Sequence, residues 1–373
     1  MRRLILGALV LTGALAASLC FAQARVDTTE DWQIAYPSPC PGYKAGSTHE
    51  ITYDRHGGRD LWLTGQNYDS IVRVTTSGAR TVHALDRCSG PHGIEFDTQH
   101  RLWVSLEWAG QIVRLDANQH VQARYDVRLH CTSCVEPLNT HPHGMAFADH
   151  GRALWFTGKA TGTVGKITLA TGRVQTFQLP NVGSVPIYIK EGNDGNMWVT
   201  ELLGNAIARV TPSGDVKEFT IPTANSRPIA IVPEPGGRAM WFSEEAGNKV
   251  ARIDPSGTIT EFAVANGQAN VKVILAGLAF DGENDLWVQQ YVPHGAPNAG
   301  VDSLIEIDKK ILTAKPSDNI PMTPYRIPTT DSVMHRIIQG PDGAMWYTEM
   351  MADKVGKVTR AEQRKTMKTR HRK

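Results

Sequence analysis

The sequence predicts an all-β protein, a seven-bladed β-propeller of four-stranded blades with the ring closed by an N-terminal strand in the last blade. Two observations carry this. Seven of the nine tryptophans, Trp62, Trp103, Trp155, Trp198, Trp241, Trp287 and Trp346, recur in short apolar segments such as "LWLT", "LWVS" and "MWYT". Between them lie alternating runs divided by turn residues such as Pro-Ser-Gly, which marks four short strands per unit. Units of about 40 to 50 residues with four strands have the period of propeller blades.

The chain opens with Met1-Arg2-Arg3, an apolar run from Leu4 to Phe21, and Ala22-Gln23-Ala24. A basic start, a short apolar core and an A-x-A site predict a signal peptide over 1–24, with export to the periplasm or exterior. The propeller is expected over 25–359. The first strand segment, "DWQIAYPSP", is similar to the outer-strand segment "KEFTIPT". The last unit, ending in "DKVGKVT", lacks a fourth strand, so the N-terminal segment is expected to supply it and remove an open edge. Residues 360–373 form a basic tail, predicted to be disordered and solubilising.

A formal net charge of +2 excludes a global bias toward nucleic acid or an anionic surface, and no later apolar run is long enough to cross a bilayer. Cys40, Cys88, Cys131 and Cys134 remain after cleavage. In an oxidising compartment an even number points to disulfides, with three pairings open; "CTSC" ahead of "HPH" offers a thiolate metal site as the alternative. The repeated tryptophan reads as a wedge filler between sheets, its indole N–H bonded to a partner.

Aligned at the start of each innermost strand stand His49, His92, His143, Ile187, Ile229, Ala276 and His335. The four histidines occupy consecutive units of the closed ring. The Trp strand returns to the same end, and there stand Glu201, Glu244 and Glu349. Imidazoles and carboxylates are therefore expected to meet at one mouth of the central channel, with His141 adding another ring. Such groups also serve as plain structural hydrogen-bonding residues, and that reading stands beside the functional one. The insertion from Tyr291 to Ser303 lies at the same end and is a candidate wall or lid, with Tyr291 and His294 offered to a ligand.

The segments "GNMWVTELLGNAIARVTPSGDVKEFTIPTANSRPIAI" and "GAMWYTEMMADKVGKVT" resemble the virginiamycin B lyase (streptogramin B lyase) family, seven-bladed propeller enzymes. The resemblance implies opening of a cyclic depsipeptide by elimination, with a histidine taking a proton α to a carbonyl and Mg²⁺ held by glutamates steadying the enolate. It places His335 on the catalytic histidine, Glu349 on a magnesium-binding glutamate and Lys354 on the lysine after it. Val333 stands where a second glutamate is expected, and Ala276 where a substrate-binding histidine is expected. A rotated register gives His92 and His143 the paired roles and His141 the missing glutamate's role, with Gly158 at the second carboxylate position.

The sequence reading is thus a metal-assisted carbon–oxygen lyase acting on an ester, lactone or cyclic depsipeptide, with His335 as base. His49, His92, His143 and Tyr291 are expected at the substrate, and Glu349, Glu244 and His141 at Mg²⁺ or another divalent cation. A lactone hydrolase of the gluconolactonase type and a non-catalytic ligand- or partner-binding propeller are the alternatives. No nucleic-acid partner is expected, and the closed ring is expected to be a monomer.

Overall fold

Four-stranded antiparallel sheets, seven in all, form a ring in this computed structural model, which describes residues 28–130, 134–265, 272–296 and 302–360. The expected signal peptide, the tail beyond Arg360, Cys131 and part of the Tyr291–Ser303 insertion lie outside the described residues. The innermost strands are Thr48–Tyr53, Pro91–Phe96, Pro142–Ala148, Pro186–Glu191, Pro228–Pro233, Ile274–Phe280 and Met334–Gln339, of blades 1 to 7 in turn. In blades 1 to 6 each sheet then runs outward in chain order through the Trp strand and two more.

Blade 7 closes the ring as expected. Its outer strand is Thr28–Gln33, which pairs antiparallel with Lys354–Thr359 from Thr28 opposite Thr359 to Gln33 opposite Lys354. The strand begins three residues before the "DWQIAYPSP" segment. Trp32 within it stacks on Trp346 with centroids 5.5 Å apart. That is the position Phe219 takes on Trp198 and Phe262 on Trp241.

The tryptophans are buried and behave as blade spacers. Five indole N–H groups reach an acid in the turn at the opposite end of the blade: Trp103 to Asp97, Trp198 to Asp194, Trp241 to Glu234, Trp287 to Asp281 and Trp346 to Asp342, at 2.8–3.1 Å. Each bond satisfies a buried donor that would otherwise cost about 1–3 kcal/mol.

The last letter of the motifs "LWLT", "LWVS" and "LWVQ" proves to be a stitch between blades. The Thr64 hydroxyl accepts from the Glu50 N–H at 3.1 Å and donates to the His92 carbonyl of the next blade at 2.8 Å. Ser105, Thr157, Thr200 and Ser243 repeat this. Gln289 does so with its amide, and Thr348 returns to the His49 carbonyl of blade 1 at 2.7 Å. A closed belt of side-chain bonds therefore surrounds the axis.

The belt exists because every innermost strand carries a bulge at the same place. Pairing jumps from Thr48/Gly65 to Ile51/Leu63 in blade 1, and an equivalent jump occurs in the other six. One extra residue on the inner strand breaks the in/out alternation and turns two successive side chains toward the axis. Where the bulge passes close to a neighbour, glycine is needed: a Cβ at Gly93 or Gly144 would lie 2.4 Å from the next blade's carbonyl oxygen.

Candidate functional site: the histidine mouth

The two residues of each bulge build the site. The first positions bring His49, His92, His143 and His335 together: the His49 ring lies 4.9 Å from both His92 and His335, and His92 lies 3.6 Å from His143, centroid to centroid. The four imidazoles gathered by the sequence alignment thus form one cluster.

The second positions hold Glu50, Tyr188 and Arg336, with Gly or Ala in the other four blades. Those small residues leave room for three large side chains to meet across the ring. The Tyr188 hydroxyl donates to Glu50 Oε1 at 2.5 Å, the Arg336 Nε lies 3.3 Å from Glu50 Oε2, and the guanidinium sits 4.5 Å above the Tyr188 ring. His335 Nε2 is 3.5 Å from Glu50 Oε1. Farther along the axis, Lys190 Nζ meets Glu95 Oε1 at 2.6 Å. Bridges from blade 1 to blade 4 and from blade 2 to blade 4 leave the channel plugged by polar side chains below the histidines.

A third layer caps the cluster on the solvent side. It comes from the residue just after each Trp strand: Gln66, Glu107 and Lys159 in blades 1 to 3. Glu107 Oε2 accepts from the Gln66 amide at 2.7 Å, and its Oε1 lies 2.7 Å from Lys159 Nζ and 3.5 Å from His141 Nδ1.

Burial sets the charge states. It holds His49 down to about 3, with His335 adding to the effect, and His143 down to about 4, with Lys159 adding to it; His92 is likewise well below the usual imidazole range. These three rings are neutral at neutral pH. Burial alone would raise Glu50, yet the Arg336 charge and the His335 and Tyr188 contacts hold it well below the usual carboxylate range. Glu107 is likewise held down against its burial by His141, His143 and Lys159.

Glu349, Glu244 and Glu201 do end their strands at this mouth, but their side chains are fully buried and no carboxylate oxygen of the three has a hydrogen-bond partner. Strand alternation explains it: the terminal residue turns between blades, and the following residue faces the axis. Burial pushes Glu349 up to about 7 and Glu201 and Glu244 up to about 8. Asp31, Lys354 and Asp302 are the charges around Glu349, and Glu261 and Lys249 those around Glu244. His141 stands beside Glu107 instead. The structure does not gather Glu349, Glu244 and His141 into one donor set.

Tyr291 is buried in the apolar cluster with Ala276, Leu304 and Met334, and His294 Nδ1 lies 2.9 Å from Asp331 at the surface. Lys354 reaches Thr329 at 2.8 Å. Cys40 and Cys88 form a disulfide that straps the chain entering blade 1 to the loop leaving it, and Cys134 is disulfide-bonded too. The thiolate metal site is thereby overturned for Cys134.

Sets of donors with metal spacing do exist at the mouth. Glu50, His92 and His335 form one and His92, Glu107 and His143 another, each with one ligand atom per residue within 4.8 Å of the others. Glu50, Tyr188, Arg336, Gln66, Glu107 and Lys159 were missed in the sequence because the bulge and the strand end each shift the inward-facing residue by one. Extending the seven-unit alignment one position further would have shown the first three as the only large residues in a column of Gly and Ala.

The fold and this mouth define the class: a β-propeller with a buried imidazole and carboxylate cluster at one end of its axis. Residues 116–294, just under half of the chain, match the model of the virginiamycin B lyase family, the family that the blade repeats resemble. Virginiamycin B lyase of Nocardia farcinica (strain IFM 10152) is 28% identical over 187 residues, covering 50% of this chain and 59% of that protein. The match spans under two thirds of that relative's length.

The crystal structure of virginiamycin B lyase from Staphylococcus aureus superposes with a TM-score of 0.70 at 26% identity, over 90% of this chain and 100% of that one. A catalytically inactive histidine-to-alanine variant of the same enzyme, with quinupristin, matches equally. A streptogramin B lyase structure at 22% identity, with a TM-score of 0.72 over 89% of this chain, supports the fold.

Proposed function

We propose that the protein is an exported carbon–oxygen lyase that opens an ester or lactone within a partly apolar small molecule, a cyclic depsipeptide being the model substrate. The observation that carries the reading is the convergence of four imidazoles at the mouth, with the Glu50 carboxylate set against His335. In the reaction His335 takes a proton from a carbon α to a carbonyl. The resulting enolate pair forms a C=C bond and expels the β-acyloxy group as a carboxylate, and the imidazolium returns its proton to water. Glu50, 3.5 Å from the His335 Nε2, is the carboxylate that faces the ring. Lys159, one-third exposed beside Glu107, is a cationic group at this mouth.

Two further features support the reading. The large apolar side chains exposed among the described residues, Tyr43, Val135, Leu138, Val182, Leu203 and Met351, all stand on loops at the histidine end. An apolar rim around a polar mouth suits a ligand with hydrophobic side groups. The Cys40–Cys88 disulfide supports a periplasmic or secreted location.

Magnesium, implied by the family resemblance, prefers oxygen donors in an octahedral set. The residues expected to hold it, Glu349, Glu244 and His141, do not fit that requirement, so no step of the mechanism is assigned to it. A second reading, ligand binding without chemistry, draws on the Glu50–Tyr188 and Lys190–Glu95 bridges, which serve the ring's closure whether or not a reaction takes place.

The test is mass spectrometry of a streptogramin B incubated with the protein, with and without chelator, beside His335→Ala. A linear product of unchanged mass that disappears in the variant supports elimination. Gain of one water assigns hydrolysis, and intact substrate sinks the lyase reading.

A further inference from the structure

His92, Glu107 and His143 are all buried, and each offers a donor atom within 4.8 Å of the other two. His92 is 1% exposed, and its Nδ1 has no hydrogen-bond partner, a costly state for a buried polar atom. The His143 Nδ1 lies 3.2 Å from the Ile187 carbonyl and donates to it, which leaves the Nε2 lone pair for a ligand. The Gln66 amide fixes Glu107 through Oε2 at 2.7 Å. A carbonyl behind an imidazole and an amide behind a carboxylate are the supports that metal ligands usually have.

Glu107 Oε1 is met at 2.7 Å by Lys159 Nζ. Lys159 is the counter-charge of Glu107, and being one-third exposed it can withdraw into water. The other donor set differs here. Its carboxylate, Glu50, is held by the Tyr188 hydroxyl and by Arg336, a buried guanidinium that cannot leave and that opposes a second cation.

We propose that His92, His143 and Glu107, joined by His141 on the solvent side, bind one divalent transition-metal ion of the zinc class, the His92 and His143 rings swinging apart from their 3.6 Å contact to take it. Two or three imidazoles with one carboxylate suit zinc or cobalt, whereas magnesium calls for oxygen. This ion is distinct in residues and chemistry from a glutamate-held magnesium, and it leaves His335 free. The inference stands on geometry independent of the lyase reading, and its test needs no substrate.

The full-length mature protein without an affinity tag is stripped with chelator and titrated with Co²⁺, following visible d–d absorption, then with Zn²⁺, following its melting temperature. The expected result is one equivalent of Co²⁺ giving a visible band, displaced by Zn²⁺, and a melting temperature that rises with Zn²⁺. The isosteric Glu107→Gln and His92→Ala lose the band, Gln66→Ala weakens binding about 10–100-fold, and Glu349→Gln leaves binding intact. Circular dichroism in chelator checks each variant's fold, and Glu107→Gln decides the matter should His92→Ala not fold. No band and no zinc shift up to millimolar ion overturns the proposal. So does a band that survives Glu107→Gln, or one lost instead in Glu50→Gln, which would put the ion in the other set.

Discussion

The two ends of the propeller are made by the same repeat and treat it in opposite ways. At the end away from the histidines, most blades repeat one device, an acid in the turn holding the indole N–H of the blade's tryptophan. At the histidine end the backbone still repeats, bulge by bulge, while the side chains set on it diverge. Four blades supply imidazoles, and the other three place Ile187, Ile229 and Ala276 at the same point. Repetition marks what closes the ring, and departure from repetition marks the cluster to which the proposed chemistry is assigned.

The largest effect should come from breaking the repeating end. Trp346 is fully buried, stacks on Trp32 and donates to Asp342. Trp346→Ala should cost about 3–5 kcal/mol in chemical denaturation and loosen the closing strand. A loss below 1 kcal/mol would mean that the strand pairing alone holds the ring.

Altering the divergent end should leave the fold and take the activity. Under the lyase reading, His335→Ala should lower turnover of a depsipeptide ester by about 10²–10⁴-fold with little change in melting temperature. A parallel loss of stability would make His335 structural.

The disulfide belongs to the histidine end, where it closes a loop with a sequence separation of 48 residues. Reduction, or Cys40→Ser with Cys88→Ser, should cost about 2–4 kcal/mol by constraint of the unfolded chain. Equal denaturation midpoints with and without reductant would contradict this.

The pH dependence sharpens the comparison, because the histidine end stores groups shifted in both directions. His49 and His143 have folded values of about 3 and 4 against 6.5, so their contribution is present above 6.5 and is lost as pH falls toward 4. Glu201 and Glu244 have folded values of about 8 against 4.5, so their contribution is full at low pH and is lost as pH rises through 8. Glu244→Gln should therefore raise the melting temperature at pH 9 and leave it nearly unchanged at pH 5. His143→Gln should flatten the loss between pH 6.5 and 4. The smallest effect is expected at a surface pair, where Arg73→Ala beside Asp60 should shift stability by no more than about 0.5 kcal/mol.

The tryptophan spacing and the turn residues made the blade count and the ring closure legible, because burial of one large side chain per blade leaves a periodic trace. The histidine column was legible for the same reason. The carboxylates were not. Glu349 and Glu244 stand at the strand ends that the alignment indicates, yet a one-residue difference in facing buries them between blades and gives the mouth to Glu107 and Lys159. Glu50 and Arg336 were hidden beside histidines that had already been singled out.

Sequence by itself determined the repeat, the closing strand and the four imidazoles, since each follows from periodicity along the chain. Only the tertiary structure decided which side chains share the axis. Facing at a bulge or a strand end is set by hydrogen-bond register with neighbouring strands. The contacts that count, Tyr188 with Glu50 and Arg336 with Glu50, join blades that are far apart in the chain and meet only when the ring is closed.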